Sequence, residues 1–237
     1  MNCRDIISEL RSNASEAHKK NVVRMGIPEE YSMGVPTPVI RKLAKTIGIS
    51  HETAFGLWRT GYHEAKLLAV LLFDNKKITP EDVEYLISDV ASWDLCDHLC
   101  KNLIIRQKDC HRYITAWITS SRTYKKRAAF TLMASSAIHG KDSSGDRLDE
   151  YLNLIREHSQ DGNEHVKKAA SWALREIGKK DFNYCEKALL VAYDLKENGN
   201  RTQVWIAKDA VKELENLVKT DGRSRLISAG TKMGRGL

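Results

Sequence analysis

The chain has 237 residues, a net charge of +7, 42% apolar and 29% charged residues, and only four prolines and fourteen glycines. That length is enough to bury a real core, and the composition excludes wholesale disorder. The basic excess is compatible with nucleic acid or an anionic membrane as partner without choosing between them, so the placement of the charge has to decide.

The opening stretch, MNCRDIISELRSNASEAHKK, is too polar for a signal peptide, and no apolar run approaches the eighteen or so residues of a membrane span. A cytoplasmic protein with no membrane partner is expected, nucleoid-associated in a prokaryote. The periodicity predicts a first helix through the N-terminal twenty-odd residues, stopping near GIPEE. TPVIRKLAKTIG then begins with Thr37 as N-cap and Pro38 in the first turn, and ends at Gly48. HETAFGLWRT and YHEAKLLAVLLFDN follow, and TPEDVEYLISDV again opens with Thr, Pro and first-turn acids. Next come SWDLCDHLCKNLI, RYITAWI, TYKKRAAFTLMASSAI and DRLDEYLNLIREHS, then HVKKAASWALREIGKK, NYCEKALLVAYDL and TQVWIAKDAVKELENLV. The linkers HGKDSSG, QDGN and ENGN are short, and no stretch alternates with period two for long enough to make a sheet.

About a dozen helices joined by tight turns suggest an all-α fold of stacked pairs. WALREI at Trp172 and WIAKDA at Trp205 align at an offset of 33 residues, and KKRAAF resembles VKKAAS. These irregular matches favour an α-α superhelix, a solenoid of degenerate HEAT-like helix pairs, over a compact bundle. Residues 1–218 read as one such domain and residues 219–237 as a basic, disordered tail, KTDGRSRLISAGTKMGRGL from Lys219 onward. A monomer is the default expectation. Five cysteines without a C-x-x-C exclude a zinc-ribbon pattern. In CDHLC, Cys96 and Cys100 flank the leucine stripe while His98 points away from Cys100, so they read as core cysteines and no metal is expected.

The helix faces are more informative than the motifs. In HVKKAASWALREIGKK the residues Val166, Ala169, Ala170, Ala173, Leu174 and Ile177 form one stripe. Trp172 lies roughly 140° from the stripe's centre, at about 100° per residue, among Lys168, Arg175 and Lys179. TQVWIAKDAVKEL repeats the arrangement: Val204, Ala207, Ala210, Val211 and Leu214 define the core face, and Trp205 stands nearly opposite with Arg201, Lys208 and Lys212. Cations interleaved with an aromatic suit a polyanion, the cations meeting phosphates and the indole packing on a sugar or base. The alternative is that both tryptophans are buried against neighbouring helices, with lysine stems covering them.

SWDLCDHLCKNL has a related geometry. Leu95, Cys96, Leu99 and Leu103 face inward, and Trp93 and Asp97 stand one turn apart on the other side. A carboxylate beside an off-core indole can serve a cation or a transition state that becomes cationic. The plainer reading of Asp97 is a solvated acid paired with Lys101, and of Asp94 a first-turn acid facing the helix dipole. In TYKKRAAFTLMASSAI, Ala129, Phe130, Met133 and Ala137 face inward, while Tyr124, Arg127, Thr131 and Ser135 make a polar stripe. By pattern alone Arg127 is an ordinary exposed arginine within reach of a phosphate.

At these residues the sequence resembles the AlkD-type DNA alkylation-repair glycosylases, a HEAT-like-repeat family. The resemblance runs over most of the chain, from GVPTPVIRKLAK through SWDLCD to KRAAF and KKAASWALRE. It implies that Trp93 and Asp97 are the family's catalytic pair, Arg127 its phosphate-contacting arginine, and Trp172, followed by Arg175, its second groove tryptophan. The implied activity is excision of cationic N3- and N7-alkylated purines from double-stranded DNA, without a cofactor and without flipping the base into a pocket. Asp97 would stabilise an oxocarbenium-like sugar and position water, with Trp93 and Trp172 packed against the deoxyribose. Lys168, Arg175, Lys179, Trp205 and Lys208 would join Arg127 in contacting DNA, although Trp205 and Lys208 lie beyond what the family's motifs cover. Two rivals remain: a non-enzymatic HEAT-like module for damaged or branched DNA, and a protein-binding solenoid whose basic groove takes acidic partners.

Overall fold

Capping residues set most of the helix boundaries in the computed structural model, which describes residues 1–139 and 145–234. The linker expected at HGKDSSG falls largely outside the described residues, as do the last three residues of the tail. The single N-terminal helix expected is two, α1 (Cys3–Ser12) and α2 (Glu16–Arg24). Asn2 and Asp5 form a capping box on α1, and the Ser15 side chain accepts from the His18 amide to start α2 afresh. Then follow α3 (Thr37–Ile47), α4 (His51–Arg59), α5 (His63–Leu72), α6 (Pro80–Ser88) and α7 (Trp93–Asn102). The N-cap of α3 is Pro36 rather than Thr37, whereas α6 starts as read, from Thr79 with Asp82 completing a capping box. The remaining helices are α8 (His111–Trp117), α9 (Thr123–His139), α10 (Gly145–His158), α11 (Glu164–Gly178), α12 (Phe182–Asn198) and α13 (Arg201–Leu214).

Packing gathers these helices into two compact units, Met1–Lys108 and Asp109–Leu237, where one domain was expected. In the first unit α5 is the hub, touching α1, α3, α4 and α7. Its apolar residues Ala65, Leu68, Ala69 and Leu72 are wholly buried. Glu64, also on α5 and 2% exposed, gathers four donors: the Ser32 hydroxyl at 3.1 Å and the amides of Met33, Gly34 and Val35 at 2.9, 2.7 and 3.2 Å. The loop between α2 and α3 is thereby fastened to α5. Its Gly34 has φ +82°, and a Cβ there would stand 2.6 Å from the Ser15 carbonyl oxygen, so only glycine fits. The Gly34 carbonyl in turn accepts from the Ser15 amide at the start of α2.

α7 meets α5 through His98, whose Nε2 donates to the Leu67 carbonyl at 3.0 Å. Burial, helped by the Arg41 charge, pushes His98 down to about 4, so it is neutral near pH 7. Cys96 and Cys100 are fully buried beside it, as expected of core cysteines.

In the second unit α11 packs against both α9 and α13, while α10 and α12 lie against this layer. Cross-helix contacts recur at a separation of 38 residues: Arg127 with His165, Ser171 with Asp209 and Arg175 with Glu213. The register differs from the 33-residue offset that aligned the two tryptophans. Trp172 lies in the middle of α11, but Trp205 lies in the second turn of α13.

The expected tail is not disordered where the structure describes it. Leu217–Val218 pairs antiparallel with Ile227–Ser228, and Leu226 is buried, its amide donating to the Lys179 carbonyl at 2.8 Å. Arg225 pins this hairpin by donating to the carbonyls of Ala137 and Glu176 and to the Glu176 carboxylate. A guanidinium that satisfies two helix carbonyls and a carboxylate outweighs the polar composition that suggested a solvated tail.

Glu64→Ala leaves three amides of a buried loop without an acceptor. A loss of about 3 kcal/mol in the free energy of unfolding is expected, read from urea midpoints. A change within 0.5 kcal/mol, about the scatter of a surface substitution, would contradict the clamp. His98 gives a pH signature. Its folded pKa of about 4 lies below the ordinary value of about 6.5, so its contribution is complete above 6.5 and lost as pH falls toward 4. His98→Gln should remove that part of the acid loss, up to about 3 kcal/mol. Parallel stability curves for the two proteins would rule it out.

Candidate nucleic-acid interface

The start of α7 presents the first set of candidate residues. Leu95, Cys96, Leu99, Cys100 and Leu103 are at most 2% exposed, so the buried face is the one the periodicity assigned. Trp93, the first residue of the helix, and Asp97, one turn later, are half-buried on the other side. The Trp93 indole N–H donates to the Met25 carbonyl at the end of α2, at 3.0 Å. That bond fixes the ring rather than leaving it a loose surface group.

Asp94, between them, does more than face the helix dipole. Its Oδ1 accepts from the Ser92 hydroxyl at 2.7 Å and its Oδ2 stands 2.8 Å from Nε2 of His63, which is 7% exposed. Burial pushes the Asp94 carboxyl up, but the His63 and Ser92 hydrogen bonds and the His63 charge together hold it below the usual carboxylate range. The helix bearing Trp93 and Asp97 is thus tied to α2 at Trp93 and to α5 at Asp94. His63 and Glu64 were missed from the sequence. Their signal was two adjacent polar residues opening an otherwise apolar helix, HEAKLLAVLL.

In the second unit the polar stripe of α9 is not solvated. Thr131 and Ser135 are at most 1% exposed and Arg127 only 7%, because α8, α10 and α11 all pack on this helix. Arg127 is therefore not an ordinary exposed arginine. Its Nη1 donates to the His165 carbonyl in the first turn of α11, at 2.6 Å, and the rings of Tyr124 and His165 stand 5.8 Å apart beside it.

All six stripe residues of α11 are buried and Trp172, off the stripe, is half-buried. Lys168, one turn before it, is exposed. Arg175 and Lys179 do not join a free cationic row. Arg175 donates to Glu213 at 2.7 Å and lies 3.7 Å from Asp209, and Lys179 lies 2.7 Å from Glu213 and 3.0 Å from Glu176. Burial pushes the Glu213 carboxyl up, but Lys179 and Arg175 hold it below its ordinary range. With Arg225 of the hairpin also on Glu176, three cations meet three carboxylates in a seam along α11 and α13, so each positive charge there is answered. Glu176 stands three residues before Lys179 on the same chain segment, but Asp209 and Glu213 lie on α13, so the sequence of α11 alone could not show most of the seam.

Trp205 is 37% exposed and lines a depression of about 560 Å³ with Lys167, Arg201, Lys208 and Glu164. The Lys167 ammonium stands 4.3 Å from the indole centroid, a cation–π contact between α11 and α13. On α13 the face reading holds for Ala207, Ala210 and Leu214, whereas Val204 and Val211 are only half-buried and Gln203 and Ile206 take the core places beside them. Among the described residues no group of histidines, cysteines and acids has the geometry to hold a metal ion, and no helix is long and apolar enough to cross a membrane.

One solved structure, described as belonging to "a new family of proteins related to the HEAT-like repeat DNA glycosylases with affinity for branched DNA structures", matches with a TM-score of 0.75 at 21% identity, covering 99% of this chain and 93% of its own. Another, smu.31 from Streptococcus mutans UA159, has a TM-score of 0.56 at 20% identity, covering 89% and 98%. At these identities the likeness is one of fold, and the fold is all-α and HEAT-like. No curated protein matches. A family model described as DNA alkylation repair enzyme spans residues 6–214, from α1 to the end of α13. The chain belongs to the DNA alkylation repair enzyme family.

Proposed function

We propose that the chain is a DNA glycosylase that releases positively charged N3- and N7-alkylated purines from duplex DNA. The observation that carries the reading is the Trp93–Asp97 pair. The two side chains stand one turn apart on the half-buried side of a helix whose other side is core, and the indole is anchored on the Met25 carbonyl. A carboxylate held beside a fixed aromatic ring suits a reaction centre that becomes positively charged.

A purine alkylated at N3 or N7 already bears a positive charge, so no acid has to protonate the leaving group. The bond between C1′ and the purine nitrogen breaks with its electron pair going to the base, which leaves neutral, and the sugar becomes oxocarbenium-like. Asp97 offsets that charge and orients the water that attacks C1′, taking the proton the water sheds and passing it to solvent, a glycoside hydrolysis with one carboxylate rather than two. Trp93 packs against the deoxyribose and its π face favours the same charge. In the second unit Trp172 and Arg127 are the groups that the family resemblance assigns to DNA. With its Nη1 on the His165 carbonyl, Arg127 is held in one orientation, which limits the ordering needed when a phosphate binds. Lys168 supplies an exposed cation a turn from Trp172.

A second reading, a non-enzymatic module for branched DNA, is favoured by the relative described as having such affinity. Base release separates the two. With duplex DNA carrying N7-methylguanine, the wild-type protein is expected to liberate free base, and Asp97→Asn to bind within a few fold but to lose at least a hundredfold in rate, about 2.7 kcal/mol of transition-state stabilisation. Equal rates for the two proteins would remove Asp97 from the mechanism. DNA binding without release of this base or of N3-methyladenine would favour the second reading.

A further inference from the structure

The depression beside Trp205 is a site of a different kind from the α7 pair. We infer that it seats one unpaired nucleotide of DNA, with the base stacked on the Trp205 indole and its flanking phosphates held by Arg201 and Lys208. The inference rests on the proposal that the chain binds DNA, and it adds a subsite that the excision chemistry does not use.

Four observations support it. The indole is 37% exposed in a cavity of about 560 Å³, within the range of ligand pockets and large enough for a nucleotide. Lys167 stands over one face of the ring at 4.3 Å and is itself held by Glu164, so the one acid of the depression is already matched and the base is assigned to the ring's other face. Arg201 and Lys208 are exposed, one turn either side of Trp205, and form no ion pair with any described residue. In this they differ from Arg175 and Lys179, whose charge is answered by Glu213 and its neighbours. The two cations are separated by about 10 Å along the helix axis, and their long side chains can reach the phosphates on both sides of a nucleotide stacked between them.

The choice of an unpaired nucleotide follows from the ring. In a paired duplex each base face is covered by its neighbours, and an indole meets only sugar and groove edges. Cations alone would suffice for a duplex backbone. An indole flanked by unmatched cations is the combination that binds single strands, where every base offers a π face.

The test compares two probes by fluorescence anisotropy with the full chain at fixed salt: a short single-stranded oligothymidine and a fully paired hairpin duplex. Trp205→Ala is expected to weaken oligothymidine about tenfold and the duplex no more than threefold, while Trp205→Phe, which keeps a stacking ring, stays within about threefold on both. Equal losses on the two probes, or no loss on oligothymidine, overturn the inference. If Trp205→Ala lowers the melting temperature, Trp205→Leu, which keeps apolar bulk without a stacking ring, replaces it, with the same selective loss expected. Base release by the wild-type protein is scored in parallel. Release with no selective loss removes this subsite and leaves the glycosylase reading standing, whereas a wild type that binds neither probe overturns both.

Discussion

The first unit depends on one buried carboxylate. Glu64 lies on α5, the helix that touches α1, α3, α4 and α7, and it accepts from four donors of the loop between α2 and α3. A charge so placed is tolerable only because those donors replace its water. The consequence reaches α7. The fastened loop holds Gly34, Gly34 meets Ser15 at the start of α2, and the carbonyl at the end of α2 holds the Trp93 indole. Asp94 ties the same turn of α7 back to α5 through His63, the neighbour of Glu64. Two adjacent polar residues on an apolar helix thus set the frame in which Trp93 and Asp97 stand.

In the second unit the constraint is stacking. α11 is covered by α9, α12 and α13, so little of its circumference remains for chemistry. Small residues, Ala169, Ala170 and Ala173, let those neighbours approach. Trp172 and Lys168 lie on the remaining side, while Arg175 and Lys179 fall where α13 comes close and are matched by its acids. The same crowding explains Arg127. A helix as enclosed as α9 takes even its polar stripe inside, where a guanidinium serves as a strut to the α11 backbone.

This division also marks how much the sequence disclosed. The all-helical character, the core stripes of α7 and α11, the buried cysteines and the off-core places of Trp93, Asp97 and Trp172 were legible, because each depends on the 3.6-residue period within one helix. What lay between helices was not. The 38-residue register of contacts, the acids answering Arg175 and Lys179, the burial of Arg127 and the anchoring of the tail by Arg225 all depend on which helix stands next to which. The break at Asn13–Ser15 was missed for a different reason. The apolar period continues across it, and only the Ser15 cap and its tie to Gly34 interrupt the backbone.

The family match and the HEAT-like fold make DNA the natural partner, and the Trp93–Asp97 pair is the centre of the proposed chemistry. A single carboxylate beside a fixed indole can stabilise a cationic sugar, but the proposed mechanism has no acid to protonate a leaving base. The substrate must therefore bring its own positive charge. The most direct measurement compares base release from duplexes that differ in one lesion, N7-methylguanine in one and the neutral base hypoxanthine in the other. The account predicts release of the methylated base and none of hypoxanthine above the uncatalysed rate. Comparable release of both would contradict it, since a neutral purine leaves only with acid help that this site is argued to lack.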